Sequence, residues 1–376
     1  MDGDYREVIW RELWVLPQDG NMGDMKTDII KVSENCVSSG DEECLMRAGE
    51  ILRKGGLVAF PTETVYGLGG DALNPEASVK IYTAKGRPSD NPLIIHINKF
   101  ADIYQIVKEM PEAAVKVGKA FWPGPLTMIL PKAEKVPYET TGGLNTVAVR
   151  FPSHPIARKL IEYGGGFVAA PSANASGKPS PTRAKHVVED MDGRIEMIVD
   201  GGEVGIGLES TIIDMTVEPP RILRPGYITQ EMLKQVLGEV GEDVTMMRND
   251  SGEAPRAPGM KYRHYAPSGS LVIVEGEPQQ VADYINARAA QDSKAGERTG
   301  ILGTREQLEQ YHADVIKCIG SREEEEAVAR NLFAVLREFD EEKVTKIYSE
   351  SFPAQGLGQA VMNRLLKAAG YCVVKV

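Results

Sequence analysis

The chain has 376 residues, of which 42% are hydrophobic and 26% charged, as is typical of globular proteins. This length exceeds one ordinary hydrophobic core and predicts two domains. The net charge of −11 argues against broad, sequence-independent binding to nucleic acid, which requires cations facing the phosphates. The sequence shows no run of about 18 apolar residues and no secretory signal at its start, so it predicts a cytoplasmic protein without a membrane partner.

Four stretches with different patterns predict the domain organisation. Residues 1–28 show no clear element and are interpreted as an N-terminal extension. Residues 29–225 mix short strands, helices and long loops, which favours an α/β domain with a mixed, curved sheet and flanking helices. Residues 226–268 have the composition of a linker, and residues 269–376 alternate strand and helix as in a small Rossmann-like parallel α/β domain.

Polar and charged residues follow the apolar strand predicted at residues 57–60. Thr64 lies just beyond this strand. Lys85 and Arg87 stand in a Lys-Gly-Arg-Pro segment, which we predict to be a non-helical turn because proline restricts the residue before it. Fixed cations beside a strand end indicate a phosphate or carboxylate ligand.

Two more arginines, Arg150 and Arg224, occur at predicted strand ends next to prolines. Taken singly, each is better explained as a surface cation or a structural ion pair than as a ligand-binding residue. Their positions favour a site, and Arg150 is suited to bind a carboxylate in bidentate fashion. Hydroxyl and amide side chains accompany the cations along the chain: Thr64, Asn91, Thr146, Ser172, Asn174, Ser180 and Ser210.

Residues 67–72 match Gly-x-Gly-x-x-Ala, the dinucleotide-binding fingerprint. The required strand-to-helix turn is missing, because residues 62–66 separate the match from the strand. We interpret the segment as a tight structural turn, so a nicotinamide-dependent oxidoreductase is a weak alternative. No Gly-x-x-x-x-Gly-Lys-Ser/Thr loop occurs, so a bound nucleotide triphosphate would be held by cationic side chains.

Nucleophilic and zinc-based catalysis are not predicted. Ser172 could be considered as a nucleophile with His96 as its base. However, Ser172 does not lie in a Gly-x-Ser-x-Gly elbow, and no carboxylate is evidently placed to orient the histidine. The four cysteines form no Cys-x-x-Cys pair, and the histidines show no His-x-x-x-His or His-x-x-Glu-His spacing. We therefore expect no metal ion held by protein side chains.

Several segments together resemble the YrdC/Sua5 family. The catalytic-domain motifs are Phe-Pro-Thr-Glu-Thr-Val-Tyr-Gly-Leu at 60–68, Lys-Gly-Arg-Pro-Ser-Asp-Asn-Pro-Leu at 85–93, Trp-Pro-Gly-Pro-Leu-Thr at 122–127, Val-Arg-Phe-Pro at 149–152, Ala-Pro-Ser-Ala-Asn at 170–174 and Ser-Thr-Ile-Ile-Asp at 210–214. Leu-Arg-Pro-Gly at 223–226, the segment Ala-Pro-Gly-Met-Lys-Tyr-Arg-His-Tyr-Ala-Pro at 257–267 and the appended α/β domain are similar to the longer, two-domain Sua5 form. The resemblance covers nearly the whole chain after residue 28.

The resemblance implies a nucleotidyltransferase that converts L-threonine, bicarbonate and ATP to threonylcarbamoyl-AMP, the first step of the t6A modification of tRNA. It implies catalytic roles for Lys85, Arg87, Ser172 and Asn174. It implies threonine binding by Thr64, His96, Arg150, Ala170 and Ser210. It implies ATP binding by Arg87, Asn91, Thr146, Ser172, Ser180, Arg224 and Tyr265.

The same resemblance implies a magnesium ion held mainly by ATP phosphates and water, as Mg²⁺ usually is. The product would pass to the tRNA threonylcarbamoyl-transferase machinery, with at most a weak contact to tRNA itself. Residues 261–265 carry aromatic and basic side chains between prolines, and we predict that they fold over the nucleotide as a lid.

Two further alternatives remain open. A carbamoyltransferase of hydrogenase maturation shares the first domain's fold but would bring cysteine-paired zinc modules that this sequence lacks. A non-catalytic module of the same fold that binds double-stranded RNA or tRNA would need a broad basic face, which a sequence pI near 5.2 disfavours.

Overall fold

The structure, a computed structural model, describes residues 25–34, 38–243 and 264–376. Residues 1–24 of the predicted extension and residues 244–263 of the predicted linker, with positions 261–263 of the predicted lid, lie outside these ranges. Within them, no helix is long and apolar enough to cross a membrane. The described residues form two β-sheets, one of eleven strands and one of five.

The larger sheet contains β1 Asp28–Lys31, β2 Val58–Phe60, β3 Gly67–Asp71, β4 Ile94–His96, β5 Leu126–Pro131, β6 Thr146–Arg150, β7 Val168–Ala169, β8 Met197–Asp200, β9 Thr211–Asp214, β10 Arg221–Arg224 and β11 Gly241–Glu242. Its helices are α1 Ser39–Arg53, α2 Pro75–Lys85, α3 Glu112–Phe121, α4 Tyr138–Thr141, α5 Pro155–Tyr163, α6 Ala184–Met191 and α7 Gln230–Leu237. The strands lie in the order β1-β8-β2-β3-β7-β4-β6-β5-β9-β10-β11. Because β4 runs parallel to β6 while β3 runs antiparallel to β2 and β7, the predicted mixed sheet is confirmed.

Strand β2 is buried on both faces, which explains its uninterrupted apolar sequence. Val58 and Phe60 pack into a cluster with residues of α1 and α5. Leu57 and Ala59 point the other way, into the largest core cluster of this sheet. A strand covered on both faces needs no polar alternation, because neither face meets water.

The prediction of a tight turn at residues 67–72 is wrong, because Gly67–Asp71 is strand β3. The glycines serve close packing. A Cβ atom on Gly69 would lie 2.8 Å from Phe60 Cε1 and 2.9 Å from Val168 Cγ1, closer than side chains approach. The sequence resembles a turn because it is rich in glycine, while the cross-strand neighbours that require glycine are distant in the chain.

Lys85 also differs from its predicted setting. It is the last residue of α2, and Gly86, with a φ of 62°, ends the helix in the left-handed conformation. Lys85 is therefore carried by a helix and not by a turn, and only 3% of it is exposed. Arg87 lies just beyond the helix end.

The smaller sheet contains β12 Ser270–Glu275, β13 Thr299–Gly303, β14 Val315–Cys318, β15 Lys346–Glu350 and β16 Val373–Lys375. Its helices are α8 Pro278–Lys294, α9 Glu325–Glu341 and α10 Gly356–Ala368. The strand order is β14-β13-β15-β12-β16, and each neighbouring pair is parallel, which confirms the predicted parallel α/β architecture.

The larger sheet extends beyond residue 225, into the stretch predicted as linker. Helix α7 lies there, and β11 pairs in parallel with β10, Arg221 opposite Gly241. The short, polar strand β11 carries no apolar pattern, so its pairing was not visible in the sequence.

Candidate active site

A cleft lies on one face of the larger sheet. His96 in β4 and Arg150 in β6 are register partners in parallel strands, so their side chains project to the same face. Ala170 follows β7, and its N–H donates to the Ile94 carbonyl at 2.9 Å. Ten predicted site residues line the cleft: Lys85, Arg87, His96, Arg150, Ala170, Ser172, Asn174, Ser210, Arg224 and Tyr265.

Two predicted residues, Thr64 and Ser180, lie one contact behind the cleft wall. The Thr64 hydroxyl is 2.9 Å from that of Thr62, which lines the cleft. The Ser180 hydroxyl donates to Oε1 of Glu209, another lining residue, at 2.5 Å. Both residues are fully buried, so neither hydroxyl is open to the cleft.

Asn91 and Thr146 lie away from the cleft lining, near the amino ends of β4 and β6. The Asn91 carbonyl accepts from Nε of Arg87 at 3.1 Å, and the adjacent Pro92 carbonyl accepts from Nη2 at 3.1 Å. Thr146 is four residues before Arg150, roughly 13 Å along the strand at about 3.3 Å per residue. Thr146 and Arg150 therefore share a face of β6 but lie at opposite ends of the strand, so the structure does not bring Thr146 to the cleft.

Arg150 faces a carboxylate that the sequence analysis missed. Its Nη2 lies 2.7 Å from Oε1 of Glu63, and both side chains are almost fully buried. Among the described residues, no group forms a well-aligned hydrogen bond with Arg150 Nη2, Arg150 Nε or Glu63 Oε1. Buried polar atoms without aligned partners are costly, so a ligand carboxylate would stabilise this guanidinium. Nothing in the Pro-Thr-Glu-Thr motif signals that Glu63 reaches β6.

His96 is a neutral group in this cleft. Its Nδ1 lies 3.1 Å from the Ile94 carbonyl oxygen, and burial, followed by the charge of Arg150, lowers the pKa of His96 to about 3. A lowered pKa keeps the imidazole uncharged at every pH above that value. We expect its ring resonances, followed by NMR, to show no charge change between about pH 5 and 8. A titration in that interval that disappears in His96→Asn would contradict this.

Lys85 fixes the loop that follows β7. Its Nζ donates to the carbonyls of Ser172 and Asn174, each at 2.5 Å. The Ser172 hydroxyl in turn donates to Oδ1 of Asn174 at 2.5 Å. Burial, followed by the charge of Arg87, lowers the pKa of Lys85 well below its usual range. Lys85 therefore joins α2 to the backbone of Ser172 and Asn174, whose side chains are hydrogen-bonded to each other.

Arg224 and Ser210 form a second fixed unit across the cleft. Arg224 Nε donates to the Ser210 carbonyl at 3.0 Å and Nη2 to the Ser210 hydroxyl at 3.1 Å. The Ser210 hydroxyl also lies 2.8 Å from that of Thr127. Burial lowers the pKa of both Arg224 and Arg87 to about 10, so both remain charged at neutral pH. The cleft thus carries two immobilised guanidinium cations.

The end of the predicted lid reaches the cleft. Tyr265 lines it, has a φ of 64°, and stacks with a ring-centroid distance of 5.1 Å on Phe333 of α9. The next residue, Ala266, donates its N–H to the Gly177 carbonyl at 2.8 Å. The neighbouring His264 also lines the cleft. Lid closure itself stays a prediction, because positions 261–263 lie outside the described residues.

No protein metal site accompanies the cleft: the described residues contain no group of three His, Cys, Asp or Glu side chains able to hold an ion. The nearby carboxylates of Glu63 and Glu209 are ion-paired with Arg150 and Arg364. This donor set fits an ion held chiefly by a ligand's own phosphates and by water.

Two family models match the chain in tandem. One, described as "Telomere recombination" (Sua5_yciO_yrdC), matches residues 50–226. The other, described as "Threonylcarbamoyl-AMP synthase, C-terminal domain", matches residues 228–370. The two matches meet between β10 and α7.

Similar proteins extend over almost the whole chain. A threonylcarbamoyl-AMP synthase of Pyrococcus abyssi is 50% identical over 351 residues, 93% of this chain and 100% of that protein. A threonylcarbamoyl-AMP synthase of Bacillus subtilis is 48% identical with the same coverage. The crystal structure of P. abyssi Sua5 complexed with L-threonine superposes with a TM-score of 0.88, covering 93% of this chain and 100% of that one at 49% identity. The chain therefore belongs to the Sua5/YrdC family, in its two-domain form.

Proposed function

We propose that this chain is a threonylcarbamoyl-AMP synthase, which converts L-threonine, bicarbonate and ATP to threonylcarbamoyl-AMP, pyrophosphate and water. The observation that carries the proposal is that one cleft combines a carboxylate-binding arginine, Arg150, with the fixed cations Arg87 and Arg224. An amino acid and a nucleotide triphosphate require these two kinds of subsite side by side. Relatives with this name, matched over their whole length and 93% of this chain, support the assignment.

Threonine would bind through its carboxylate to Arg150, whose Nε and Nη2 form a planar fork. Glu63 would then exchange its contact with Arg150 for one with the substrate's ammonium group. His96, uncharged at neutral pH, adds no positive charge beside that ammonium. The arrangement suits a zwitterion with one group of each sign.

After its ammonium group has lost a proton, the amine of threonine would attack the carbon of bicarbonate with loss of water, or that of carbon dioxide with loss of a proton. Either route forms a carbamate. A carbamate oxygen would attack the α-phosphorus of ATP in line, and pyrophosphate would leave. The enzyme's task is to hold two anions together and stabilise the charge that moves to the leaving group. Arg87, Arg224 and the loop held by Lys85 are placed for this, and no covalent enzyme intermediate is needed.

Magnesium stays part of the proposal as a partner of ATP. Bound to the phosphates, it would reduce their negative charge and fix their geometry. The protein's part is to present Arg87, Arg224 and the hydroxyls of the cleft to the same phosphates. Transfer of the product to a tRNA-modifying partner, weak contact with tRNA and a cytoplasmic location remain predictions from the sequence.

The RNA-binding alternative is not favoured, since relatives sharing about half of the residues over the full chain are named as synthases. The deciding experiment measures pyrophosphate release from ATP by the full chain. We expect release that depends on threonine and bicarbonate and stops when EDTA is added. Release without threonine, or no release with all substrates present, would contradict the proposed function.

A further inference from the structure

Three arginines from the helices of the smaller sheet contact loops around the cleft. Arg330 and Arg337 lie in α9, and Arg364 lies in α10. Arg330 Nε donates to the Gly205 carbonyl at 2.8 Å. Arg337 Nη2 donates to the Pro179 carbonyl at 2.7 Å, directly before the predicted ATP ligand at position 180. The C-terminal domain thus holds backbone that belongs to the catalytic domain.

Helix α9 approaches the loop at residues 205–207 as closely as backbone allows. A Cβ atom on Gly207 would lie 2.4 Å from Cα of Arg330, and Gly207 has a φ of 83°. The N–H of Gly207 donates to the Thr64 carbonyl at 3.0 Å, and that of Ile206 to the Glu63 carbonyl at 2.9 Å. The domain contact therefore reaches the strand-end segment that carries Thr64, one of the predicted threonine ligands.

Arg364 makes the most complete of these contacts, with 0% of the residue exposed. Its Nε donates to Oε2 of Glu209 at 3.0 Å, its Nη2 to the Glu209 carbonyl at 3.2 Å, and its Nη1 to the Pro225 carbonyl. Glu209 directly precedes Ser210, and Pro225 directly follows Arg224. One buried guanidinium thus ties together the two chain segments that form the cationic wall of the cleft.

Glu209 lines the cleft, and its other carboxylate oxygen receives the Ser180 hydroxyl at 2.5 Å. Burial alone would raise the pKa of Glu209, but the charges of Arg364 and Arg224 and the Ser180 hydroxyl hold it below its usual range. An ionised carboxylate would repel a phosphate in the same cleft unless a cation balances it. Arg364 is that cation, supplied by the other domain.

We infer that Arg364 is a positioning residue of the nucleotide subsite, through which the C-terminal domain neutralises Glu209 and orients the Ser180 hydroxyl. The inference rests on the proposed function. It gives the appended domain a specific part in substrate binding, because the catalytic sheet alone would leave Glu209 buried without its main counter-ion. The ion pair of Arg150 with Glu63 is separate from this contact, whereas Ser210, the predicted threonine ligand beside Glu209, shares its chain segment.

The test compares KM values for ATP and threonine in full-length variants. Arg364→Met leaves the Glu209 charge unbalanced, so we expect the KM for ATP to rise at least about tenfold, as for an opposed like charge. The KM for threonine should rise by a clearly smaller factor, because Arg150 and its partner Glu63 do not depend on Arg364. Arg364→Met/Glu209→Gln removes the surplus charge and should recover most of the ATP affinity. Arg298→Met, which breaks an ion pair with Glu342 inside the C-terminal domain, is the matched control.

Direct ATP binding by calorimetry supplies a readout that does not need turnover. If Arg364→Met fails to fold, Arg364→Lys replaces it in the test. Lysine keeps the positive charge but lacks the several donors of the guanidinium, so this variant should weaken ATP binding by a smaller factor. The inference is overturned if folded variants bind ATP as wild type does, if both KM values rise equally, or if the double variant is no better than the single one. Failure of the wild type to release pyrophosphate would instead contradict the proposed function.

Discussion

Replacing Arg150 by glutamine is expected to raise the KM for threonine by about 30- to 3,000-fold, with a much smaller change in the KM for ATP. Truncating one partner of a buried charge pair costs about 2–5 kcal/mol, and each 1.4 kcal/mol is a factor of ten in affinity. Arg150 is buried, lines the cleft and faces Glu63 at 2.7 Å, so the substitution also leaves that carboxylate without its cation. Steady-state kinetics of pyrophosphate release would measure both constants.

The matched control is Arg158→Gln. Arg158 is an exposed arginine of α5 that stacks on Phe151, 5.2 Å from the ring centroid, and does not line the cleft. It should leave the KM for threonine unchanged within about twofold, as surface substitutions generally do. An Arg150→Gln enzyme with wild-type threonine affinity would show that the amino acid binds elsewhere, and would remove the proposed role of this arginine.

Replacing Lys85 by methionine is expected to lower kcat by about 10²–10³-fold. This is the usual loss when one donor that stabilises developing charge is removed. Here the loss would arise through the loop, because the Lys85 amino group holds the carbonyls of Ser172 and Asn174. Without this amino group the loop at 172–174 loses its anchor on α2, and the hydrogen-bonded pair of Ser172 and Asn174 loses its support. The measurement is single-turnover pyrophosphate release with saturating substrates.

Lys80 offers a control on the same helix. It is exposed, and its Nζ donates to the Gly55 carbonyl at 2.7 Å, far from the cleft lining. Lys80→Met should leave kcat unchanged within about twofold. Thermal unfolding of both variants separates lost catalysis from lost folding. If Lys85→Met is folded and turns over at the wild-type rate, other contacts hold the loop without Lys85, and Lys85 has no part in catalysis.

Patterns local in the chain predicted much of this protein. Periodicity predicted the parallel sheet after residue 269, and apolar segments bounded by glycine and proline predicted most of the strands around the cleft. The residue types at those strand ends indicated anionic ligands, and ordered motifs indicated the family. These features could be predicted from the sequence because each depends on neighbours within a few residues.

Tertiary structure decided which of these residues meet. Register between β4 and β6 places His96 beside Arg150, and dense packing against Phe60 makes residues 67–71 a strand and not a turn. The partners Glu63, Glu209 and Arg364 were invisible because a charged residue in a loop or on a helix is usually solvated, and only contacts across the chain show otherwise. The sequence by itself determined the elements and the chemistry available. Only the fold, through long-range packing and charge pairing, decided how that chemistry is arranged.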